Sequence, residues 1–245
     1  NSLARLGDKR PVIFYDQLGC GQSALKPGPC LLGLWALPRF VHELEALIDT
    51  LKLTEYHLLG HSWGGTIAID FLHKPRPGLQ RLILASPFIS HNRWLEDADR
   101  LLSALPHDIQ SKLRAGPSHD EQYKVAIRTY YQNYLCRLKP WPPELPEAFD
   151  RLNFEIYHTL WGPSELMITG HLQAFERMPS LSQITIPTLL TCGRYDEASP
   201  QTLEIALHTI HKGLAQLIIF EQSSHVAHVE QPEAYLGTLR YFLLE

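Results

Sequence analysis

The stretch YHLLGHSWGGTIAIDFL, residues 56–72, decides how the chain is read. Tyr56-Leu59 is a short apolar run of strand length, Thr66-Leu72 carries the apolar residues of a helix, and Gly60-His61-Ser62-Trp63-Gly64 between them fits the pattern G-x-S-x-G. The glycines let the backbone turn sharply, so that a serine projects at the carboxyl end of a strand. The helix beginning behind it favours developing negative charge. Ser62 is therefore expected to be a nucleophile. The bare pattern also fits a tight strand-to-helix turn whose serine only caps the helix, so the rest of the chain has to supply a base and an acid.

Outward from this turn, short apolar runs recur at Pro11-Tyr15, Leu79-Ala85, Ile186-Cys192 and Ala215-Phe220, and helical stretches are expected at Arg39-Lys52, Gly64-His73, Pro200-His211 and Pro232-Leu243. The strands show almost no polar alternation, which is what a mostly parallel sheet covered by helices on both faces requires. The rhythm breaks between Asn92 and Pro179, where no strand is expected. Helix-like segments, many aromatic residues and the cluster KPWPPELP (139–146) point to an inserted helical cap. The core is then expected to span residues 1–91 and 180–245, with the cap at 92–179.

Composition narrows the function. The chain has 245 residues, of which 44% are hydrophobic, enough for a sizeable core, and a net charge of -4 without a basic stripe for nucleic acid or a polybasic membrane patch. Its longest apolar runs are strand-sized, short of the roughly 18 residues of a membrane span. Cys20, Cys30, Cys136 and Cys192 are scattered without metal-ligand or disulfide-framework spacing, so reduced thiols and a cytoplasmic setting are expected. The partner is expected to be a small molecule or peptide.

A serine hydroxyl needs a base, and the base needs a carboxylate to hold its tautomer. In strand-turn-helix hydrolases the order is nucleophile, acid, histidine. After Thr188-Cys192 comes GRYDEASP, which puts Asp196 just past a strand end, although Asp at such a place can also serve only as a turn carboxylate. After Leu217-Phe220 comes EQSSHVAHVEQPEAY, which puts His225 on the loop before the last helix, with His228 as its competitor. No third ligand or H-E-x-x-H helix makes a metal site of that pair. No cofactor is called for. The backbone N–H of Trp63 is the expected oxyanion donor, and its indole is expected to pack beside the turn.

Several further stretches resemble one family. PVIFYDQLGCGQS (11–23) is similar to a Y-D-Q-x-G-x-G-x-S stretch, GHSWGG to that family's form of the serine turn, and GRYDE with SSHVAHVEQPE to its acid and histidine loops. YHTLWGPSELMITG (157–170) is similar to a cap segment that supplies a substrate-binding glutamate. The chain thus resembles, nearly end to end, the α/β-hydrolase fold and within it the proline iminopeptidase-like serine aminopeptidases (peptidase family S33). Leu18, where an arginine is more usual, and Ala24, where an acidic residue is, depart from the pattern.

The resemblance implies that Glu165 and Glu197 face the ammonium of a substrate's free amino terminus, with Tyr157 in the same pocket. A partly buried cation needs opposite charge and acceptors. From its own residues alone, Glu165 reads equally well as an exposed glutamate at a helix start. The implied activity is removal of a proline or another neutral first residue from short peptides or amino acid amides. The alternatives are a carboxylesterase on the same fold and a non-catalytic hydrolase-like binding protein.

The resemblance also implies an H-G-G-P-G loop for the second oxyanion donor, and no such sequence occurs. Pro11-Tyr15 would then be the fourth of eight strands, the first three would be absent, and the chain would be incomplete and weakly active. A gap is expected between Pro11-Tyr15 and Tyr56-Leu59.

Overall fold

A computed structural model of the chain describes residues 2–25 and 35–244; the expectations for Cys30 lie outside the described residues. Among the described residues four strands, β1 (Tyr56–His61), β2 (Leu79–Ala85), β3 (Thr188–Gly193) and β4 (Ala215–Phe220), form a parallel sheet in that order. Helices α1 (Leu37–Thr50), α2 (Trp63–Phe71), α8 (Pro200–Thr209), α9 (Ala227–Glu230) and α10 (Pro232–Leu244) belong to this core.

Alternate residues of each strand face opposite sides, and both sides are apolar. Leu82, Leu84, Leu190 and Cys192 pack against Ala68 and Ile69 of α2 and Leu203 and Ala206 of α8. Their neighbours Ile83, Ala85 and Leu189 pack against Tyr235, Leu236, Leu239 and Phe242 of α10. This double covering is why the strands carry consecutive apolar residues such as Leu82-Ala85.

The register sets up the site. His61 pairs with Ala85, Ala85 with Thr191, and Gly193 with Phe220, so the carboxyl ends of all four strands lie along one edge. Ser62, Ser86, Asp196 and His225 all leave the sheet at that edge, where ligands bind open parallel sheets.

Pro11-Tyr15 is a correction. The segment joins no ladder, and Ile13 and Phe14 are 49% and 53% exposed. Pro11 has no N–H to donate, and among the described residues no strand pairs with the segment or with the outer edge of β1. Only Val12 and Tyr15 turn inward, onto the α10 side and the α1 side of the core.

Between β2 and β3 lie five helices among the described residues: α3 (His91–Ser103), α4 (His107–Arg114), α5 (Glu121–Tyr134), α6 (Glu144–Asp150) and α7 (Phe154–Leu160). Ser90, Asp120 and Asn153 cap α3, α5 and α7 by accepting from N–H groups of the first turn. Leu101, Leu102, Leu113, Tyr123 and Tyr130 give α3–α5 a small core of their own, while Ile156, Leu160 and Leu172 pack onto Phe40 of α1 and Trp35 just before it. No described helix is long and apolar enough to cross a membrane.

Candidate active site

The turn at Ser62 is tight and strained. Ser62 has φ 52° and ψ −116°, a conformation that side-chain-bearing residues rarely adopt, and its N–H is held by the Ala85 carbonyl at 2.9 Å. A methyl group on Gly60 would fall inside 3.0 Å of the Gly64 carbonyl oxygen, and one on Gly65 inside 3.0 Å of Pro87; one on Gly64 would meet nothing within 4 Å. The constraint therefore rests on Gly60 and Gly65. Gly60→Ala should cost about 1–3 kcal/mol or more through forced backbone shifts, whereas Gly64→Ala should be neutral or stabilising by up to ~1 kcal/mol, since alanine is the better helix former. Urea midpoints of the two variants check this ordering, and equal midpoints would remove the steric argument.

The serine does not cap its helix: the Ser62 side chain makes no capping hydrogen bond. The Trp63 N–H, at the first position of α2, lies beyond the reach of any intrahelical carbonyl and is free to meet a ligand oxygen. The Trp63 indole packs edge-on to Phe40 with ring centroids 5.5 Å apart and donates to Gln17 Oε1 at 3.0 Å. Beside it the Leu18 N–H donates to Glu43 at 2.8 Å, and the Gln22 N–H donates to Asp16 at 2.8 Å. The Y-D-Q stretch thus braces the serine turn through backbone and indole contacts, and the Leu18 side chain packs onto the same apolar cluster as Phe40 and Trp63.

Asp196 and His225 meet through their loops. Gly193 makes the approach possible, because a Cβ there would collide with the carbonyl oxygens of Ser223 and Ser224. Asp196 Oδ1 accepts from His225 Nδ1 and from the Ala198 N–H, both at 2.8 Å, while Oδ2 accepts from Ser86 Oγ at 2.6 Å and the Gly193 N–H at 3.3 Å. The carboxylate can only accept, so it fixes the proton of His225 on Nδ1 and leaves Nε2 as the basic atom. Burial disfavours the charged imidazole, but Asp196 first, then Glu197 and Glu165, outweigh it and raise the His225 pKa to about 9.

The loop itself is pinned. The His225 carbonyl lies 2.8 Å from His61 Nε2, the His225 N–H donates to the Tyr134 carbonyl at 3.2 Å, and Ser224 is held through its N–H by Glu230 at 2.6 Å. His228 lies behind, its ring 5.1 Å from His61 and 5.9 Å from Tyr235, and burial lowers its pKa to about 4. His225, rather than His228, pairs with the acid. Ser62 Oγ and His225 Nε2 share no hydrogen bond among the described residues, although Ser62 follows His61, whose ring is 4.9 Å from that of His225. This departs from the tight three-membered relay, in line with catalytic hydrogen bonds that close only around substrate.

The insertion brings Glu165 to the same place. Its Oε2 accepts from Tyr157 at 2.6 Å and Tyr131 at 3.1 Å, and its backbone carbonyl accepts from the Trp94 indole at 2.8 Å. The Trp94 ring lies 6.5 Å from that of His225. Glu197 is 3% exposed; its Oε1 is 3.9 Å from His225 Nε2, and its Oε2 has no hydrogen-bond partner. Burial pushes its carboxyl up; His225 opposes the rise, while Glu165 and Asp196 add to it. The buried Tyr130 hydroxyl lies beside Glu197, although the two do not meet in full hydrogen-bond geometry.

Ser86, Tyr130, Tyr131 and Trp94 did not stand out in the sequence. Among the described residues no group of three or more His, Cys, Asp or Glu is arranged to hold a metal.

Comparison with known proteins agrees with this geometry. A model of the α/β hydrolase family matches residues 1–238. The chain is 38% identical over 248 aligned residues to a proline iminopeptidase of Heyndrickxia coagulans, covering 98% of this chain and 84% of that one. The chain belongs to the α/β hydrolase family, in its proline iminopeptidase branch. Two solved structures superpose closely on this hydrolase: VinJ (TM-score 0.90, 31% identity, 98% of this chain and 83% of that one) and the proline iminopeptidase of Mycobacterium smegmatis (TM-score 0.89, 30% identity, 99% and 83%).

Proposed function

We propose that this α/β hydrolase is a serine aminopeptidase that removes proline or another neutral first residue from short peptides or amino acid amides. One observation carries the reading: two carboxylates, the half-buried Glu165 and the buried Glu197, gather beside His225 and, among the described residues, have no lysine or arginine as a hydrogen-bond partner. Such a pair suits an ammonium group, which needs both charge and acceptors when it leaves water. The names of the relatives support the same activity.

In this reading Ser62 Oγ attacks the first carbonyl while His225 Nε2 takes its proton. The Trp63 N–H receives the oxyanion, and Asp196 holds the imidazole in place. His225 then returns the proton to the departing amine, leaving an acyl-enzyme on Ser62 that water hydrolyses in the second half of the cycle. Glu165, Glu197 and Tyr157 set the register by holding the substrate nitrogen. Residues 92–179 act as a cap that admits a chain end. Free Cys20, Cys136 and Cys192 fit a reducing cytoplasm.

Glu165→Gln removes a charge-assisted contact worth about 1.5–3 kcal/mol, so KM for a proline anilide should rise by roughly 10- to 100-fold with a smaller change in kcat. The N-acetylated anilide should be a poor substrate for wild type and insensitive to the substitution. Equal hydrolysis of both anilides by wild type would favour an esterase instead.

A further inference from the structure

His225 sits between two carboxylates. Asp196 meets its Nδ1 at 2.8 Å and Glu197 lies 3.9 Å from its Nε2, the atom that must be unprotonated to accept the proton of Ser62. Resting on the aminopeptidase reading, we propose that Glu197 sets specificity through turnover: it pairs with the His225 imidazolium until a substrate ammonium takes its place, so that only a cationic amino terminus delivers His225 to Ser62 as a free base.

The groups facing the ring from each element favour this arrangement. From the loop after β3 come Asp196 and Glu197, and from the insertion comes Glu165; all three stabilise charge on the imidazole. His61 of β1 and His228 of α9 also face it, and both are held neutral by burial and by His225 itself. The hydroxyls of Tyr130, Tyr131 and Tyr157 stay protonated beside the carboxylates, so they add no charge. With the imidazole and the Glu197 carboxyl 3.9 Å apart and both shifted upward, the two titrate as a pair that keeps a proton at neutral pH, the one the working base must lose.

An ammonium placed against Glu197 supplies the missing positive charge in another form. The ammonium favours the ionised carboxylate, charge on the nearby imidazole becomes unfavourable, and the proton on Nε2 leaves to solvent. Its lone pair is left for Ser62 Oγ–H. A substrate with a blocked amino terminus brings no such charge, so it suffers twice: it binds less tightly, and once bound it faces a base that is still protonated. Discrimination then appears in kcat as well as in KM.

The test is calorimetric. Ser62→Ala protein is titrated with prolinamide at pH 7 in buffers of different ionisation enthalpy, and binding should release at least ~1 proton per ligand. Binding with no proton release overturns the proposal while leaving ammonium recognition standing. If N-acetylprolinamide binds as tightly as prolinamide, ammonium recognition itself fails, and the proposal with it. A second measurement needs no ligand: nitrogen-15 resonances should place the His225 pKa of Glu197→Gln roughly one unit or more below that of the parent protein. An unchanged value overturns the coupling.

Discussion

Ser62→Ala is expected to lower kcat for a proline anilide by about 10⁴–10⁶-fold while the protein stays folded. The activity loss follows from chemistry: without an oxygen at this position no acyl-enzyme forms, and the remaining donors can only assist water. The conserved stability follows from what the hydroxyl does in the fold, since it does not cap α2. The contacts that hold the turn belong to the backbone: the Ser62 N–H to the Ala85 carbonyl at 2.9 Å, and the Gly65 N–H to the Ser62 carbonyl at 2.9 Å. Alanine keeps them and tolerates φ 52° as badly as serine does, so denaturation midpoints should differ by no more than ~0.5 kcal/mol. Labelling by a fluorophosphonate should vanish with the activity. A variant that keeps more than a hundredth of wild-type turnover would move the nucleophile elsewhere.

The parts of the molecule that could be read from the sequence are those whose signal is local. The strands β1 to β4 announce themselves because each carries a short run of consecutive apolar residues, as at Leu82-Ala85 and Leu217-Phe220. Ser62, Asp196 and His225 could be picked out because each follows a strand within a few residues, and a parallel sheet puts those ends on one edge. The same rule misled at Pro11-Tyr15, where an apolar run has no ladder to join and instead leaves Ile13 and Phe14 exposed. G-x-S-x-G suggested that both of its glycines matter, yet Gly65, just outside the pattern, is the one packed against Pro87. Glu165 was carried by resemblance alone, because a glutamate after Gly-Pro-Ser says nothing about the two tyrosines that reach it from α5 and α7. Ser86 was invisible for a related reason: it ends an apolar strand, and its partner lies 110 positions away.

Asp196→Asn should lower kcat by about 10⁴-fold, for a reason visible in its four hydrogen bonds. Both oxygens accept, and all four partners are donors: His225 Nδ1 and the Ala198 N–H on Oδ1, Ser86 Oγ and the Gly193 N–H on Oδ2. An asparagine must place its NH₂ on one side. If the NH₂ faces His225, then Nδ1 has to become the acceptor, the imidazole proton moves to Nε2, and the base is lost. If it faces Ser86, the hydroxyl can turn to donate to the His225 carbonyl, 3.2 Å away, and accept from the amide, but the Gly193 N–H is left against a donor. That second arrangement keeps the tautomer at the cost of the charge. Asp196 is the largest influence raising the His225 pKa toward 9, so the residual activity should titrate at lower pH than in wild type. Ser86→Ala removes the partner that makes the second arrangement tolerable, and the double variant should therefore lose more activity than the product of the two single losses. A loss below tenfold in Asp196→Asn would mean that the Asp196 carboxylate is not what holds the tautomer of the base.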